Sequence, residues 1–221
     1  LSKKYVYYEQ HPKHYWMSIG KNGHRSVFLT LKGAQKTKEK YLNIYNETVK
    51  QIRWKYHIKK ILVTGATGYI GSHVCKKLKY EGHLVTGCDI NIYGKHNDIY
   101  QYVDEFLFAD ITENKIHGEF DAVVHLAGRS IVPLSIKEPS EYYRVNTLGT
   151  LNLLQNISTD NFIFASSSSV FAMASPYARS KAGAEDIIKE KASGHTIFRF
   201  FNVSGTDGIN KQIGPATHLI R

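Results

Sequence analysis

Tyr177 and Lys181 have residue types and a spacing that suit proton transfer. They lie four residues apart at the start of a predicted helix, so their side chains share one helix face. A free tyrosine, with a pKa of about 10, is a poor base at neutral pH, but a neighbouring ammonium group stabilises its phenolate and lowers that pKa. The pair therefore predicts a general base. The alternative is an ordinary surface pair, because this spacing is common on helices.

The segment Thr64–Gly71 has the composition of a phosphate-binding turn. It reads Thr-Gly-Ala-Thr-Gly-Tyr-Ile-Gly and stands between a predicted strand and a predicted helix. In such a unit Gly65 permits the tight turn, Gly68 lets the backbone approach a pyrophosphate, and Gly71 lets the helix pack closely on the strand. The segment predicts a dinucleotide site, with a simple turn as the alternative.

Carboxylates end the next two predicted strands. Asp89 lies 18 residues after Gly71, where a carboxylate accepts hydrogen bonds from both hydroxyls of an adenosine ribose. Its charge would repel a 2′-phosphate, which favours NAD over NADP; a cap or turn aspartate is the alternative. Asp110, followed by Ile111, closes the third strand, where its side chain can meet the adenine amino group. With the glycines, these residues predict an NAD site.

The fourth predicted strand ends in the segment Val124–Gly128. The small residues at its end let a cofactor phosphate and ribose lie against the backbone. His125 falls within this apolar run, so a buried, hydrogen-bonded histidine is favoured over a catalytic one.

Alternating strands and helices must position these side chains. From residue 59 onward, apolar runs alternate with helical stretches, which is typical of a parallel sheet built from βαβ units. The runs are rich in Val, Ile and Phe, as expected for strands covered on both faces. The predicted fold class is α/β, a Rossmann-type doubly wound parallel sheet. Strands are predicted at Lys60–Thr64, Leu84–Asp89, Glu105–Ala109, Ala122–Leu126, Asn161–Ser166 and His195–Phe200, and helices at Ser72–Glu81, Ser140–Gln155 and Tyr177–Lys191.

Residues 1–58 are predicted to form a separate basic extension before an NAD-binding domain that begins at residue 59. Residues 1–60 hold 14 Lys or Arg and three acidic residues, a net charge of +11, whereas the rest of the chain carries −1. Two strand-like runs, Tyr15–Ile19 and Arg25–Leu31, flank an Asn-Gly turn signal and predict a β-hairpin, and Ala34–His57 has helical spacing. A basic hairpin followed by a helix is compatible with nucleic-acid binding. A solvated basic extension is the favoured alternative.

The overall composition is that of a globular protein, with 42% hydrophobic and 22% charged residues. No apolar run reaches the ~18 residues of a transmembrane helix, and the first residues lack the apolar core of a secretory signal. Cys75 and Cys88 are too few for a disulfide framework or a zinc site, so we expect both to be buried apolar side chains in a reducing compartment. A cytoplasmic location and no metal are expected.

The order of these motifs resembles that of a known family. Over roughly residues 59–221 the chain is similar to the extended short-chain dehydrogenase/reductase family, and within it to the NAD-dependent nucleotide-sugar epimerases of the UDP-glucose 4-epimerase type. The matching segments, in family order, are Thr64–Gly71, Asp89, Asp110–Ile111, His125–Gly128, Glu138–Asn146, Gly149–Leu154, Asn161–Ser167, Pro176–Lys181 and Phe198–Asn202.

The resemblance implies roles for individual residues. Ser167 matches the family's catalytic serine, which orients the substrate oxygen and relays its proton to the tyrosine, and the serine run leaves Ser168 as the alternative register. For Asn146, a structural polar position in a helix is the alternative to a cofactor contact. The implied cofactor-binding residues are Gly65, Gly68, Tyr69, Ile70, Gly71, Asp89, Asp110, Ile111, Leu126, Ala127, Gly128, Asn146, Tyr177, Lys181 and Phe201, and the implied substrate-binding residues are Ser167, Ser168, Tyr177, Asn202 and His218.

The implied activity is NAD-dependent 4-epimerisation of a UDP-hexose through a 4-keto sugar, with NAD regenerated in each cycle. A nucleotide sugar is the implied partner, a homodimer is compatible with the family, and no membrane partner is expected. Two alternatives stay open. One is another nucleotide-sugar short-chain enzyme, such as a reductase or decarboxylase. The other is a non-catalytic NAD-binding module whose basic extension binds nucleic acid.

Three features depart from the family pattern. Phe171–Ser175 is a short link between the serine strand and Tyr177, where members have a longer loop that helps enclose the sugar. Ser168 and Ser169 occupy the place of the Asp-Glu pair of nucleotide-sugar 4,6-dehydratases, which argues against a dehydratase. The sequence reaches Arg221, where the family's C-terminal substrate domain begins, so we expect that domain to be largely missing.

Overall fold

A computed structural model of the chain describes residues 6–11, 14–19, 25–28, 36, 39–40, 42–44, 46–49, 51, 57–90, 97–113 and 115–203. The chain divides into two compact units, Leu1–Ile58 and Lys59–Arg221. None of the helices in the described part of the chain combines the length and the hydrophobicity that a membrane crossing requires.

The first unit contains a three-stranded antiparallel sheet. Its strands are β1 (Val6–His11), β2 (His14–Ile19) and β3 (Arg25–Phe28), in that order across the sheet. β2 and β3 form the predicted hairpin, whereas β1 is an additional strand not predicted from the sequence. The predicted continuation of β3 to Leu31 lies outside the described residues. The described helical positions between 36 and 51 fall within the predicted helix.

The second unit is an α/β domain in which strands and helices alternate along the chain. Its strands are β4 (Lys60–Thr64), β5 (Leu84–Asp89), β6 (Glu105–Phe108), β7 (Gly118–Glu119), β8 (Ala122–His125), β9 (Ile157–Ser158), β10 (Phe162–Ser167) and β11 (His195–Phe200). Its helices are α1 (Tyr69–Tyr80), α2 (Val132–Lys137), α3 (Pro139–Tyr142), α4 (Gly149–Asn156) and α5 (Pro176–Lys191), with a π-helical segment at Tyr143–Leu148 and 3₁₀ turns at Asn97–Gln101 and Ser168–Phe171.

Six strands form one parallel sheet in the order β6-β5-β4-β8-β10-β11. Counted along the chain, this is the 3-2-1-4-5-6 order of dinucleotide-binding sheets, whose ligands bind at the carboxyl ends of the strands where the order reverses. Here the reversal lies between β4 and β8. The predicted α/β fold with a Rossmann-type parallel sheet is confirmed, and each of the six predicted strands agrees with the observed one to within one residue at each end.

Both faces of this sheet are buried. In β4, Leu62 packs into one hydrophobic cluster, and its neighbours Ile61 and Val63 pack into another. Because successive side chains of a strand point to opposite faces, apolar residues are needed at every position, which explains the absence of alternation in the sequence. Cys75 and Cys88 are unpaired and lie one in each cluster, where burial raises the pKa of each thiol to about 12. Both are buried apolar side chains, as predicted.

Local sequence signals set where the helices begin. α1 begins at Tyr69, three residues earlier than predicted, because the glycine turn leads directly into it. α5 begins at Pro176, and the Oγ of Ser175 accepts a hydrogen bond from a first-turn N–H at 3.1 Å. The single helix predicted over Ser140–Gln155 is instead divided by the π-helical segment, in which Asn146 is buried.

Candidate active site

The glycine turn between β4 and α1 is a close-packed backbone cradle. A Cβ built on Gly71 would lie 2.0 Å from the Gly65 carbonyl oxygen, and one built on Gly65 would lie 2.7 Å from the Ala127 nitrogen. Gly65 also has a φ of +70°, which L side chains rarely adopt. Gly68 stands at the N-cap of α1 without a side chain. The helix N-terminus therefore begins at the carboxyl edge of the sheet with bare backbone, which suits a pyrophosphate group.

Asp89, the last residue of β5, lies against this turn. Its Oδ2 accepts hydrogen bonds from the backbone N–H of Thr67 at 2.9 Å and from the Thr67 hydroxyl at 2.7 Å. Thr67, which was not predicted from the sequence, thus fixes the carboxylate beside the glycines. The residue predicted to bind an adenosine ribose lies next to the predicted pyrophosphate site, and the ribose contact itself stays a prediction.

Asp110 lies just beyond β6, and its carboxylate is held in a local turn. Its Oδ1 accepts hydrogen bonds from the N–H and the hydroxyl of Thr112, both at 2.8 Å. Arg144, from the π-helical segment, hydrogen-bonds the same hydroxyl and lies 4.0 Å from Asp110 Oδ2. Spacing gave no indication of Arg144 because it is distant in sequence. The side chain of Ile111 is buried in the core and its carbonyl accepts a hydrogen bond from the Asn152 amide at 2.7 Å, so the predicted cofactor contact would be made by its backbone N–H.

The segment after β8 is hydrogen-bonded to Thr64, the last residue of β4. The backbone N–H of Leu126 donates to the Thr64 carbonyl at 3.1 Å, and the N–H of Ala127 donates to Thr64 Oγ1 at 3.2 Å. These bonds bring Leu126, Ala127 and Gly128 against the glycine turn. That is where a contact with cofactor phosphate and ribose requires them.

His125 is fully buried in β8 and links two threonines. Its Nδ1 lies 2.7 Å from Thr64 Oγ1, and its Nε2 lies 2.9 Å from Thr150 Oγ1. Thr150 donates its one hydroxyl proton to the Asn146 carbonyl at 2.7 Å, so Nε2 must carry the proton that it shares with Thr150. Burial, with the charge of Lys181 as a smaller cause, lowers the pKa of His125 to about 3. The ring is neutral, and the prediction of a buried, hydrogen-bonded histidine is confirmed.

Asn146 supports the loop that follows β8. Its Oδ1 accepts a hydrogen bond from the Arg129 N–H at 2.8 Å, and its amide donates to the Arg129 carbonyl and to Ser180 Oγ, each at 3.0 Å. Since Ser180 belongs to α5, Asn146 joins this loop to the helix of the predicted base. These bonds favour the structural role for Asn146. A Cβ on Gly128 would lie 2.8 Å from Asn146 Oδ1, so the packing requires glycine there.

Lys181 is buried where α5 meets β10. Its Nζ donates to the Ala165 carbonyl at 2.8 Å and lies 4.6 Å from the centre of the Phe164 ring. Burial lowers the pKa of Lys181 to about 8, and the negative charge of Glu185 opposes this shift. Tyr177 is half-buried one turn earlier on the same helix, so the two side chains share a helix face. A lysine and a tyrosine on one helix face are the pair that a tyrosine base needs, and the stabilisation of the phenolate itself stays a prediction.

The structure distinguishes the serines at the end of β10. Ser166 is buried and donates a hydrogen bond to Glu185 Oε1 at 2.6 Å, so its hydroxyl is occupied in the interior. Ser167 ends the strand on the opposite face, where its Oγ lies 2.9 Å from Ser169 Oγ. Ser168 already belongs to the following 3₁₀ turn. This favours Ser167 over Ser168, and the catalytic assignment stays a prediction.

The remaining predicted residues lie at the edges of the site. Tyr69 and Ile70 form the first turn of α1. Phe201 and Asn202 directly follow β11, and both are exposed. His218 lies outside the described residues. Within the described ranges, no group of three or more His, Cys, Asp or Glu side chains is arranged to hold a metal ion.

Comparison with known proteins groups this chain with enzymes. Residues 61–221 match the family model described as "NAD dependent epimerase/dehydratase family", and the match includes every site residue placed above. This chain belongs to the NAD-dependent epimerase/dehydratase family. The resemblance inferred from the order of the motifs is thereby confirmed.

Individual epimerase/dehydratase relatives are similar over the same part of the chain. The UDP-glucose 4-epimerase of Lactobacillus helveticus is 34% identical over 191 residues, which cover 73% of this chain and 58% of that protein. The UDP-glucose 4-epimerase of Azospirillum brasilense is 32% identical over 195 residues, which cover 73% and 55%. The chain thus spans less than two thirds of the length of these relatives.

Solved structures of this family share the fold. A UDP-glucose 4-epimerase from Brucella ovis in complex with NAD has a TM-score of 0.57 at 27% identity, covering 67% of this chain and 53% of that one. The NAD-dependent NDP-hexosamine 5,6-dehydratase TunA has a TM-score of 0.60 at 28% identity, covering 66% and 56%. An epimerase and a dehydratase match almost equally well, so the fold alone does not choose between the two reactions.

The residues of this chain fit the cofactor of the epimerase/dehydratase family, which is NAD. The cradle at Gly65 and Gly71 has no room for a side chain, and a helix begins directly behind it. These backbone groups would hold the pyrophosphate. The carboxylate of Asp89, fixed beside them by Thr67, would accept the ribose hydroxyls and would disfavour a 2′-phosphate.

Proposed function

We propose that this chain supplies the NAD-binding and catalytic part of a nucleotide-sugar 4-epimerase that acts on a UDP-hexose of the UDP-glucose/UDP-galactose type. One observation carries the proposal: Ser167 ends β10, and Tyr177 and Lys181 share the face of α5 where Lys181 is hydrogen-bonded to that strand. The glycine cradle lies at the end of β4, two strands away in the same sheet.

In the proposed reaction each side chain acts on a defined atom. Tyr177 would remove the proton from the hydroxyl group on sugar C4, while Ser167 would hold the oxygen of that hydroxyl. The Lys181 ammonium would stabilise the Tyr177 phenolate. NAD, when bound, would accept a hydride from C4 and return it to the other face of the 4-keto sugar. Tyr177 would then return its proton to the oxygen, which completes the inversion at that carbon.

Other reactions of the family are the alternatives. Ser168 and Ser169 stand where 4,6-dehydratases carry an Asp-Glu pair, so elimination of water would lack its acid and base at these positions. The similarity to TunA, a 5,6-dehydratase, keeps elimination at a different carbon among the alternatives, together with reduction and decarboxylation.

The test is to incubate the chain with NAD and UDP-galactose and to separate the sugar nucleotides by chromatography. We expect UDP-glucose to form with the wild-type chain and to be absent with Tyr177→Phe. The matched control is Tyr80→Phe, an exposed tyrosine on α1, which should leave conversion unchanged. NAD binding without any conversion would refute the epimerase activity of this chain, and a dehydrated, reduced or decarboxylated product would select an alternative.

We also propose that the first unit binds nucleic acid. Residues 1–58 carry 12 Lys or Arg against three acidic residues, and they contain a three-stranded antiparallel sheet, an element that DNA-binding proteins place in a groove. Fluorescence anisotropy with labelled duplex DNA should show binding at ~50 mM salt that weakens at least tenfold at ~200 mM. Lys21→Gln with Lys32→Gln should weaken it further, whereas Lys76→Gln with Lys77→Gln should not. Absence of binding at low salt would refute this second proposal.

A further inference from the structure

Glu185 is a buried carboxylate that the proposed reaction does not use. It lies one turn beyond Lys181 on α5 and is 2% exposed. Its Oε1 accepts hydrogen bonds from the Ser166 hydroxyl at 2.6 Å and from Arg199 Nε at 2.9 Å, and its Oε2 accepts one from Arg199 Nη2 at 2.6 Å. Burial opposes ionisation of Glu185. The hydrogen bonds from Arg199 and Ser166 outweigh it, however, and hold the pKa of the carboxyl below its usual value.

These bonds join the elements that carry the candidate catalytic residues. Ser166 is the neighbour of Ser167 in β10, Arg199 lies in β11, and Glu185 itself lies on the helix of the predicted base. A carboxylate held by both arms of a guanidinium group and by a hydroxyl has a fixed position. Any sliding of α5 along β10 would therefore break at least one of these short bonds.

We propose that Glu185 is a positioning residue: it fixes α5 to the end of β10, so that Tyr177 stands at a set distance from Ser167, and it places a negative charge one turn from the Lys181 ammonium. This role rests on the proposed function, since it concerns the same site. Neither Glu185 nor its two partners was predicted from the sequence to take part in the site.

The charge of Glu185 acts on Lys181 along the helix. Lys181 is bonded to a backbone carbonyl and lies against an aromatic ring of β10. Tyr177 precedes it by one turn on the same helix, and His125 on β8 is close enough for the charge of Lys181 to lower its pKa, but that ring is neutral. Glu185 is the charge that supports the protonated form of Lys181 against burial. Without it, less Lys181 would be charged at neutral pH, and Tyr177 would lose the ammonium that stabilises its phenolate.

The test measures the pKa of Lys181 in the NAD-bound chain. Lysine ionisation is followed by NMR of the chain with 13C-labelled lysine side chains, and the signal of Lys181 is the one missing in Lys181→Met. For Glu185→Gln we expect the pKa of Lys181 to fall further below its value of about 8, by about one unit, because the opposing negative charge is lost. The acid limb of the epimerase pH profile should move to higher pH, because a smaller share of Lys181 is charged. The matched control is Glu190→Gln, which removes an exposed carboxylate from the same helix and should change neither.

A second variant tests the positioning by itself. Ser166→Ala removes one bond and keeps the pair between Glu185 and Arg199, so it should fold even where Glu185→Gln does not. We expect its kcat to fall about tenfold with unchanged NAD affinity, because the hydrogen bond from the end of β10 to Glu185 is lost while the bond from Lys181 to Ala165 stays.

Two outcomes would overturn the proposal. One is an unchanged pKa of Lys181 in Glu185→Gln, whatever the stability of that variant, and the other is an unchanged kcat in Ser166→Ala. The pKa measurement needs no turnover. A wild-type chain that binds NAD but converts no sugar nucleotide would therefore refute the proposed function and still allow the role of Glu185 to be judged.

Discussion

The two halves of the candidate site are held in place by different kinds of interaction. The cofactor half, at the ends of β4 and β5, depends on glycine residues. Gly65 and Gly71 allow backbone segments to approach more closely than a Cβ atom would permit. The catalytic half, at the ends of β8 and β10, depends on buried polar side chains, and Asn146 and Glu185 each join two elements through three hydrogen bonds. The cofactor half should therefore be disrupted by added side-chain atoms, and the catalytic half by the removal of polar side-chain atoms.

The largest effect is expected from adding one methyl group to the cradle. In Gly71→Ala the Cβ would meet the Gly65 carbonyl oxygen at 2.0 Å, so α1 must move away from β4. We expect a loss of about 3 kcal/mol or more in the free energy of unfolding, and no measurable NAD binding. The control is Gly82→Ala, which has a φ of +82° but no atom within 4 Å. It should lose only about 1 kcal/mol and bind NAD normally, as denaturant titration and calorimetry would show.

In the catalytic half, the largest expected effect comes from removing the buried ammonium group. Lys181→Met keeps the unbranched side chain, one atom shorter, but leaves Tyr177 without a neighbouring positive charge. We expect kcat for the sugar nucleotide to fall about a thousandfold, while the chain stays folded. Steady-state kinetics and circular dichroism measure the two quantities. Activity within tenfold of the wild type would show that Tyr177 does not depend on Lys181.

The same lysine should make stability rise with pH in the alkaline range. Its pKa is about 8 in the folded chain, against an ordinary value of 10.5. Between these values the unfolded chain binds a proton that the folded chain does not. Lys181 should therefore contribute an increase in the free energy of unfolding from pH 8 to pH 10.5, of the order of 3 kcal/mol in total. Above pH 9 the buried thiols of Cys75 and Cys88, whose pKa values are raised, act in the opposite direction in both proteins. In denaturant titrations across this range, the wild type should therefore gain stability relative to Lys181→Met. Parallel curves for the two proteins would contradict a depressed pKa.

A smaller loss should separate the two serine registers. Ser167→Ala removes the hydroxyl at the carboxyl end of β10, and we expect kcat to fall about a hundredfold. Ser168→Ala, in the 3₁₀ turn, should stay within about threefold of the wild type. Steady-state kinetics of the two variants measure this difference in kcat. A larger loss in Ser168→Ala than in Ser167→Ala would assign the catalytic role to Ser168.

The smallest effect is expected at Asp89. Asp89→Asn keeps an acceptor for Thr67 but removes the charge beside the predicted ribose, so we expect NAD affinity to fall about tenfold and NADP affinity to rise. Asp98→Asn, an exposed acidic residue of the first 3₁₀ turn, is the control. Calorimetric titration with both dinucleotides measures the change. An unaltered preference for NAD would place the ribose elsewhere.

The cofactor half could be predicted from the sequence because its residues are close together in the chain. Gly65, Gly68 and Gly71 fall within one turn, and the strand before them and the helix after them follow directly in the chain. The six strands of the parallel sheet were also readable, because burial on both faces leaves unbroken apolar runs such as Ile61–Val63. Short-range rules of residue type and spacing were sufficient for both.

The residues that hold the catalytic half in place could not be predicted, because their hydrogen-bond partners are distant in sequence. Asn146 bonds Arg129 and Ser180, which are 17 and 34 residues away, and it lies in a π-helical turn that no periodicity indicates. Glu185 bonds a serine and an arginine 19 and 14 residues away. Two signals were available for Glu185: it continues the four-residue spacing of Tyr177 and Lys181, and a charged residue interrupts the last apolar strand.

The hydrogen bonds through His125 run in one direction, from the Ala127 N–H through Thr64, His125 and Thr150 to the Asn146 carbonyl. Replacing one of the three side chains leaves a buried donor or acceptor unpaired, whereas replacing all three by apolar residues of similar size can be nearly neutral. Among related sequences, these three positions should therefore be conserved together or replaced together. They lie on two strands and a helix that are far apart along the chain, so their covariation would reflect these hydrogen bonds.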